Sequence, residues 1–126
     1  MSRYTPKQIE KYQRQKYIAF LEKISKNLFR LFRQEETTAA QFTAKFDELI
    51  QKLGELESIR LDSEYLQETQ NYIDRLYQQT QTLTDKQLDD IRSAEMSNLN
   101  RLQKLKKRTS YKKQKHRHGE RDQDWG

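Results

Sequence analysis

The sequence predicts an all-α protein: an antiparallel bundle of about four helices followed by a flexible, basic C-terminal tail. Three observations predict it. The 126 residues include only three glycines and one proline, which leaves little material for tight turns, and the commonest residues are strong helix formers. Apolar residues recur at separations of three and four, the spacing at which side chains share one helix face. The pattern Thr-x-x-Gln occurs at Thr5 to Gln8, Thr38 to Gln41 and Thr84 to Gln87. In each, the threonine hydroxyl can accept from the amide three residues on, while the glutamine reaches back to the cap amide.

The first helix opens at Thr5, with Pro6 at the first helical position, where a missing N–H costs nothing. Its seam is Tyr17, Leu21, Ile24, Leu28 and Leu31, widened by Phe20, Phe29 and Phe32. The second opens after Thr38 and buries Phe42, Phe46, Leu49, Ile50 and Leu53, with Gly54 placed to end it and Leu56, Ile59 and Leu61 extending the apolar pattern. Asp62 and Ser63 offer the cap of a third helix along Leu66, Thr69, Ile73, Leu76, Thr80 and Leu83, with Gln78 to Gln81 inside it. The fourth follows Thr84 with Leu88, Ile91, Leu99, Leu102 and Leu105, and the short connection before it favours an antiparallel hairpin. Tyr12, Tyr17, Tyr65, Tyr72 and Tyr77 read as the amphipathic margin of the core rather than as a base-stacking platform.

This division gives a helical bundle over residues 1–105 and a basic flexible tail over 106–126. Beyond Tyr111 and Trp125 the tail has almost no apolar residues to offset the entropy of ordering.

Composition bounds function by exclusion. Hydrophobic residues make up 33% of the chain and charged residues 35%, the latter well above the usual figure of about 25%, so the core must be built from narrow stripes. The absence of cysteine removes disulfides, thiol nucleophiles and zinc–thiolate sites. No apolar run approaches the roughly 18 to 20 residues of a membrane span, and the polar N-terminus lacks the apolar core of a signal peptide, so the expected location is the cytoplasm and no membrane partner is expected. His116 and His118, the only histidines, sit among cations with no further ligand nearby and are not read as a metal site. There is no phosphate-cradling glycine loop and no histidine in the helical body, and Asp89-Asp90 falls on a helix surface. The expectation is a protein that is not an enzyme and takes no cofactor.

Charge is segregated along the chain. Residues 1–34 carry nine Lys and Arg against two Glu, a net +7; residues 35–105 carry eight against fourteen, a net −6; the remainder carries eight against three, a net +5. Arg14, Lys16, Lys23, Lys26, Arg30 and Arg33 on the first helix admit two readings. They would contact phosphates, or they would solvate an outer face and pair with Glu48, Glu55, Glu57, Glu64 and Glu68 of the acidic helices. In the tail, Lys106, Lys107, Arg108, Lys112, Lys113, Lys115 and Arg117 have no fold to satisfy, and Tyr111 among them would stack on an exposed base while the cations neutralise phosphates.

Leu21-Glu22-Lys23 is followed by Leu28 and Leu31, Gln41-Phe42 and Phe46-Asp47 stand with Leu49, and Leu66, Glu68, Tyr72 and Leu76 precede a glutamine-rich turn. In these motifs the first two-thirds of the chain resembles the N-terminal helical domain of the primosomal replication protein PriC family. The resemblance implies an all-helical domain acting in replication restart, with single-stranded DNA, single-strand-binding protein and the replicative helicase as partners. Members of that family typically continue through further basic helices, whereas this chain ends after a short tail. The matching positions are packing positions, so no binding residue is carried over.

The expected function is therefore a non-enzymatic DNA replication restart adaptor that binds single-stranded DNA, single-strand-binding protein or both. Two alternatives stand beside it. One is a helical protein-protein interaction module, as a chaperone, inhibitor or scaffold, whose thin apolar stripes complete their burial by homo-oligomerising. The other is a ribosome- or RNA-associated protein using the same basic tail.

Overall fold

A computed structural model describes residues 5–117 of the chain, with side chains through Arg108. The helices are α1 (Pro6–Arg33), α2 (Ala39–Gly54), α3 (Glu64–Gln79) and α4 (Asp85–Arg117). No strand occurs among the described residues.

Each helix begins where a side chain satisfies its free amides. Thr5 and Gln8 exchange both capping-box bonds at 3.1 and 2.9 Å, Thr38 and Gln41 at 3.1 and 3.0 Å, and Thr84 and Gln87 at 3.2 and 3.0 Å. Ser63 caps α3 by accepting from the Leu66 amide at 3.1 Å. At the other end, α2 stops at Gly54, as the sequence suggests. Helix α3 closes earlier than its apolar pattern implies: Thr80 is its buried C-cap, donating its hydroxyl to the Leu76 carbonyl at 2.9 Å, and Leu83 packs on the core from the turn.

The seams meet in one core. Leu21, Ile24, Leu28 and Phe32 of α1 pack with Phe42, Phe46, Leu49 and Leu53 of α2, with Leu66, Ile73 and Leu76 of α3, and with Leu88, Leu99 and Leu102 of α4. An aromatic chain runs through it, with ring centroids 4.9 Å apart for Phe32 and Phe42, 5.8 Å for Phe42 and Phe46, and 5.1 Å for Phe46 and Tyr77.

The backbone of α4 stays helical to Arg117, past the position expected for the end of the bundle at 105/106. No glycine or proline interrupts the run from Asp85, and once a helix is nucleated each further Lys, Gln or Arg adds a hydrogen bond without a new nucleation cost. The remainder of the expected tail, residues 118–126, lies outside the described residues.

Arg92 is the polar centre of the fold. It follows Leu88 by four residues on the buried side of α4 and is only 7% exposed. Its Nη1 donates to the carbonyls of Leu31, Phe32 and Gln34 at 3.0, 2.8 and 2.9 Å, and its Nη2 donates to Glu35 and Thr37 at 3.3 and 2.7 Å. Its Nε donates to Asp89 at 2.9 Å. The free carbonyls at the end of α1 and along the following loop thus gain a fork of donors, and a cation sits where the helix dipole is negative. Seven residues earlier, Asp85 accepts from the Ala39 amide at 2.7 Å, placing an anion at the start of α2. One face of α4 therefore holds both sides of the α1–α2 turn.

Tyrosine hydroxyls join α3 to each of the other helices. Tyr65 donates to Glu22 of α1 at 3.2 Å, Tyr77 to Asp47 of α2 at 2.7 Å and Tyr72 to Glu95 of α4 at 2.8 Å, while Tyr17 of α1 donates to Gln70 at 2.7 Å. The core-margin reading holds for these four; Tyr12 is 61% exposed instead. Burial first, then the partner carboxylate, raises the hydroxyl pKa of Tyr65 and Tyr72; for Tyr77 the bond to Asp47 leads, and for Tyr17 burial does.

Two measurements check this account. Arg92→Met strands several carbonyls and is expected to cost about 3 kcal/mol or more in chemical denaturation, against a total of about 5 to 15 for a domain; Arg92→Lys is expected to recover little, because an ammonium cannot span the five carbonyls. A cost under about 1 kcal/mol would remove the clasp from the account. The second concerns alkali. The tyrosine pKa values are raised on folding, so their contribution is complete below the unfolded value of about 10 and is lost as pH climbs through the higher folded values. The melting temperature of the parent should fall more steeply above that pH than that of a variant carrying Tyr65→Phe, Tyr72→Phe and Tyr77→Phe.

Candidate nucleic-acid interface

The outer face of α1 is a row of cations. Lys16, Lys23, Lys26, Arg30 and Arg33 are separated by seven, three, four and three residues, which keeps them on one side of the helix, and all five are exposed. The apolar seam of α1 turns inward and no helix packs over this side. Along the axis the row extends about 26 Å, at 1.5 Å per residue.

The expected pairing of this row with the acidic helices does not form. Among the described residues no carboxylate makes an ion pair with any of the five; Lys16 lies 5.8 Å from the Tyr12 ring centroid and Lys23 lies 5.7 Å from that of Phe20. Glu48 instead pairs within its own helix, to Lys45 at 3.2 Å and Lys52 at 3.7 Å, and both lysines lower its pKa. Glu64 and Glu68 line a groove between α3 and α4, away from α1.

Arg14 and Lys106 differ from the rest of the predicted set. Arg14 donates to the Arg60 carbonyl at 2.7 Å and pairs with Asp62 at 3.2 Å, and Asp62 also meets Arg60 at 3.3 Å. It fastens the α2–α3 connection to α1. Lys106, expected in a mobile segment, pairs at 2.6 Å with Glu22, the same carboxylate that accepts from Tyr65. Its charge is spent inside the bundle.

Lys107 and Arg108 are exposed, and Tyr111, Lys112, Lys113, Lys115 and Arg117 follow on the helical backbone of α4. Arg92 at the C-terminus of α1 and Lys106 beside Glu22 fix α4 antiparallel to α1. The backbone of α4 therefore runs on past Glu22 toward the end of the bundle where α1 begins.

The groove between α3 and α4 has a volume of about 840 Å³, with Glu64 and Glu68 on one wall and Arg101, Lys104 and Arg108 on the other. A smaller hollow of about 260 Å³ lies between α1 and α4. No group of three or more His, Cys, Asp or Glu converges as a metal ion would require among the described residues. No described helix is long and apolar enough to cross a membrane.

Sequence reasoning missed Arg92 and Asp85. Arg92 had a signal: a charged residue four after Leu88 and seven before Leu99, on the apolar seam. Asp85 had none beyond its place in the first turn of α4. Comparison with protein-family models, curated proteins and solved structures finds no significant match to the chain.

Proposed function

We propose that the protein is a non-enzymatic nucleic-acid-binding adaptor that takes the backbone of a single strand along the outer face of α1. The observation that carries this reading is the row of Lys16, Lys23, Lys26, Arg30 and Arg33, exposed and without a carboxylate partner among the described residues. Cations held on a rigid helix neutralise successive phosphates and release their counterions, the main source of affinity for a polyanion. Resemblance to the PriC N-terminal domain supports single-stranded DNA as the ligand and replication restart as the setting, with single-strand-binding protein and the replicative helicase as protein partners. The α3–α4 groove supports the protein-binding half of an adaptor: Arg101, Lys104 and Arg108 line its α4 wall and Glu64, Glu68 and Arg75 its α3 wall, a surface suited to a charged peptide.

Fluorescence anisotropy with a labelled single-stranded DNA, across a range of salt, tests the proposal. Five phosphate contacts predict a slope of log affinity against log salt of about −3.5, and Lys23→Gln, Lys26→Gln and Arg30→Gln together should make it shallower by about 2. The same variant should unfold within about 0.5 kcal/mol of the parent, since the three side chains are exposed and make no ion pair among the described residues. No binding at low salt, or an unchanged slope in the variant, would overturn the reading. Equal affinity for RNA of the same length would favour the ribosome-associated alternative.

A further inference from the structure

We propose that the groove between α3 and α4 is the face through which two copies of this chain pair, α3 of each lying over α4 of the other. The inference goes beyond the adaptor reading and needs no nucleic acid. Charges of both signs line the groove without meeting. Glu64 and Glu68 stand one turn apart on the α3 wall, and Arg101, Lys104 and Arg108 stand three and four residues apart on the α4 wall. All five are exposed, and among the described residues none of them makes an ion pair or a side-chain hydrogen bond. Arg75, also on the α3 wall, lies instead 5.5 Å from the Tyr72 ring centroid.

Within one chain this spacing is unfavourable. Like charges three or four residues apart on a helix repel, and an opposing charge removes that cost. Elsewhere in the bundle the opposing charge is present: Asp62 meets Arg14 and Arg60, and Glu48 meets Lys45 and Lys52. In the groove the two walls stand too far apart to supply it.

An occupant that satisfies both walls must bring both signs. An acidic segment laid in the groove would face Glu64 and Glu68, and a basic one would face the three cations of α4. A second copy brings acids on one helix and bases on the next, in matching register. The bond from Tyr72 to Glu95 sets those two residues level on the antiparallel helices. Glu64 is eight residues before Tyr72 and Lys104 nine after Glu95, so they share a height, and Glu68 lies within a turn of the height of Arg101. A two-fold axis along the groove therefore sets the acids of each copy over the cations of the other, the self-complementarity that such a dimer requires. Leu102 and Leu105 line the same groove and Leu105 is only partly buried, so pairing also covers apolar surface.

Sedimentation equilibrium of the full chain, from micromolar to millimolar concentration and without nucleic acid, tests the pairing. The parent is expected to show a monomer–dimer equilibrium that salt weakens. Glu64→Lys with Glu68→Lys, and separately Arg101→Glu with Lys104→Glu and Arg108→Glu, change only exposed side chains and should leave helicity by circular dichroism unchanged. Each should weaken self-association by about a hundredfold or more, because like charges then oppose. Mixed in equal amounts, the two variants should pair again about as tightly as the parent, which misfolded chains would not do. A parent that stays monomeric throughout, a dimer indifferent to salt, or variants that fail to pair when mixed would overturn the proposal. A monomeric parent that binds a poly-glutamate peptide would overturn it too, and would assign the groove to an acidic partner. None of these results bears on the cations of α1, so the nucleic-acid reading stands or falls separately.

Discussion

Arg92 is the interaction on which the arrangement of α1, α2 and α4 depends. A turn between two antiparallel helices leaves carbonyls at the end of one and amides at the start of the next. Here α4 supplies both partners, a guanidinium for five carbonyls and the Asp85 carboxylate for the Ala39 amide. A lysine could not do this, since only a planar fork offers donors in several fixed directions. A small apolar core gains more from such a clasp than a large one, because its surface-to-volume ratio leaves less burial to rely on.

With the α1–α2 turn fixed by α4, helix α3 is located by hydroxyls. Its tyrosines reach a carboxylate on each neighbour, so each places the ring in the apolar margin and the oxygen on a charged acceptor. Acidic charge is thereby partly used within the bundle: Glu22 of α1 and Asp47 and Glu95 of the acidic middle hold tyrosines, Asp62 holds two arginines, and Glu48 holds two lysines. Little of it is directed at the outer face of α1, and that is why a nearly charge-balanced body presents a cationic face.

The fold was largely legible. The three Thr-x-x-Gln boxes and Ser63 name the starts of all four helices, and Gly54 names one end, because caps and breakers are local chemistry. The apolar seams name the core for the same reason. The end of α4 was not legible from apolar content, since the helical backbone to Arg117 is carried by propensity and propagation. Of the candidate interface, Lys16, Lys23, Lys26, Arg30 and Arg33 could be read as one face from spacing, but whether that face was covered depends on which helices pack beside it. Arg14 and Lys106 carry the same charge as their neighbours, and only the tertiary contacts with Asp62 and Glu22 set them apart.

What remains is a division of labour between two surfaces of α1: an inner side that builds the core and an outer side that presents cations. Mapping on the ¹⁵N-labelled protein, by adding a single-stranded oligonucleotide at low salt and following amide shifts, tests that division most directly. The account predicts shifts concentrated along α1 at Lys16, Lys23, Lys26, Arg30 and Arg33, with α2 unperturbed. Shifts confined to the α3–α4 groove, or none along α1, would contradict it.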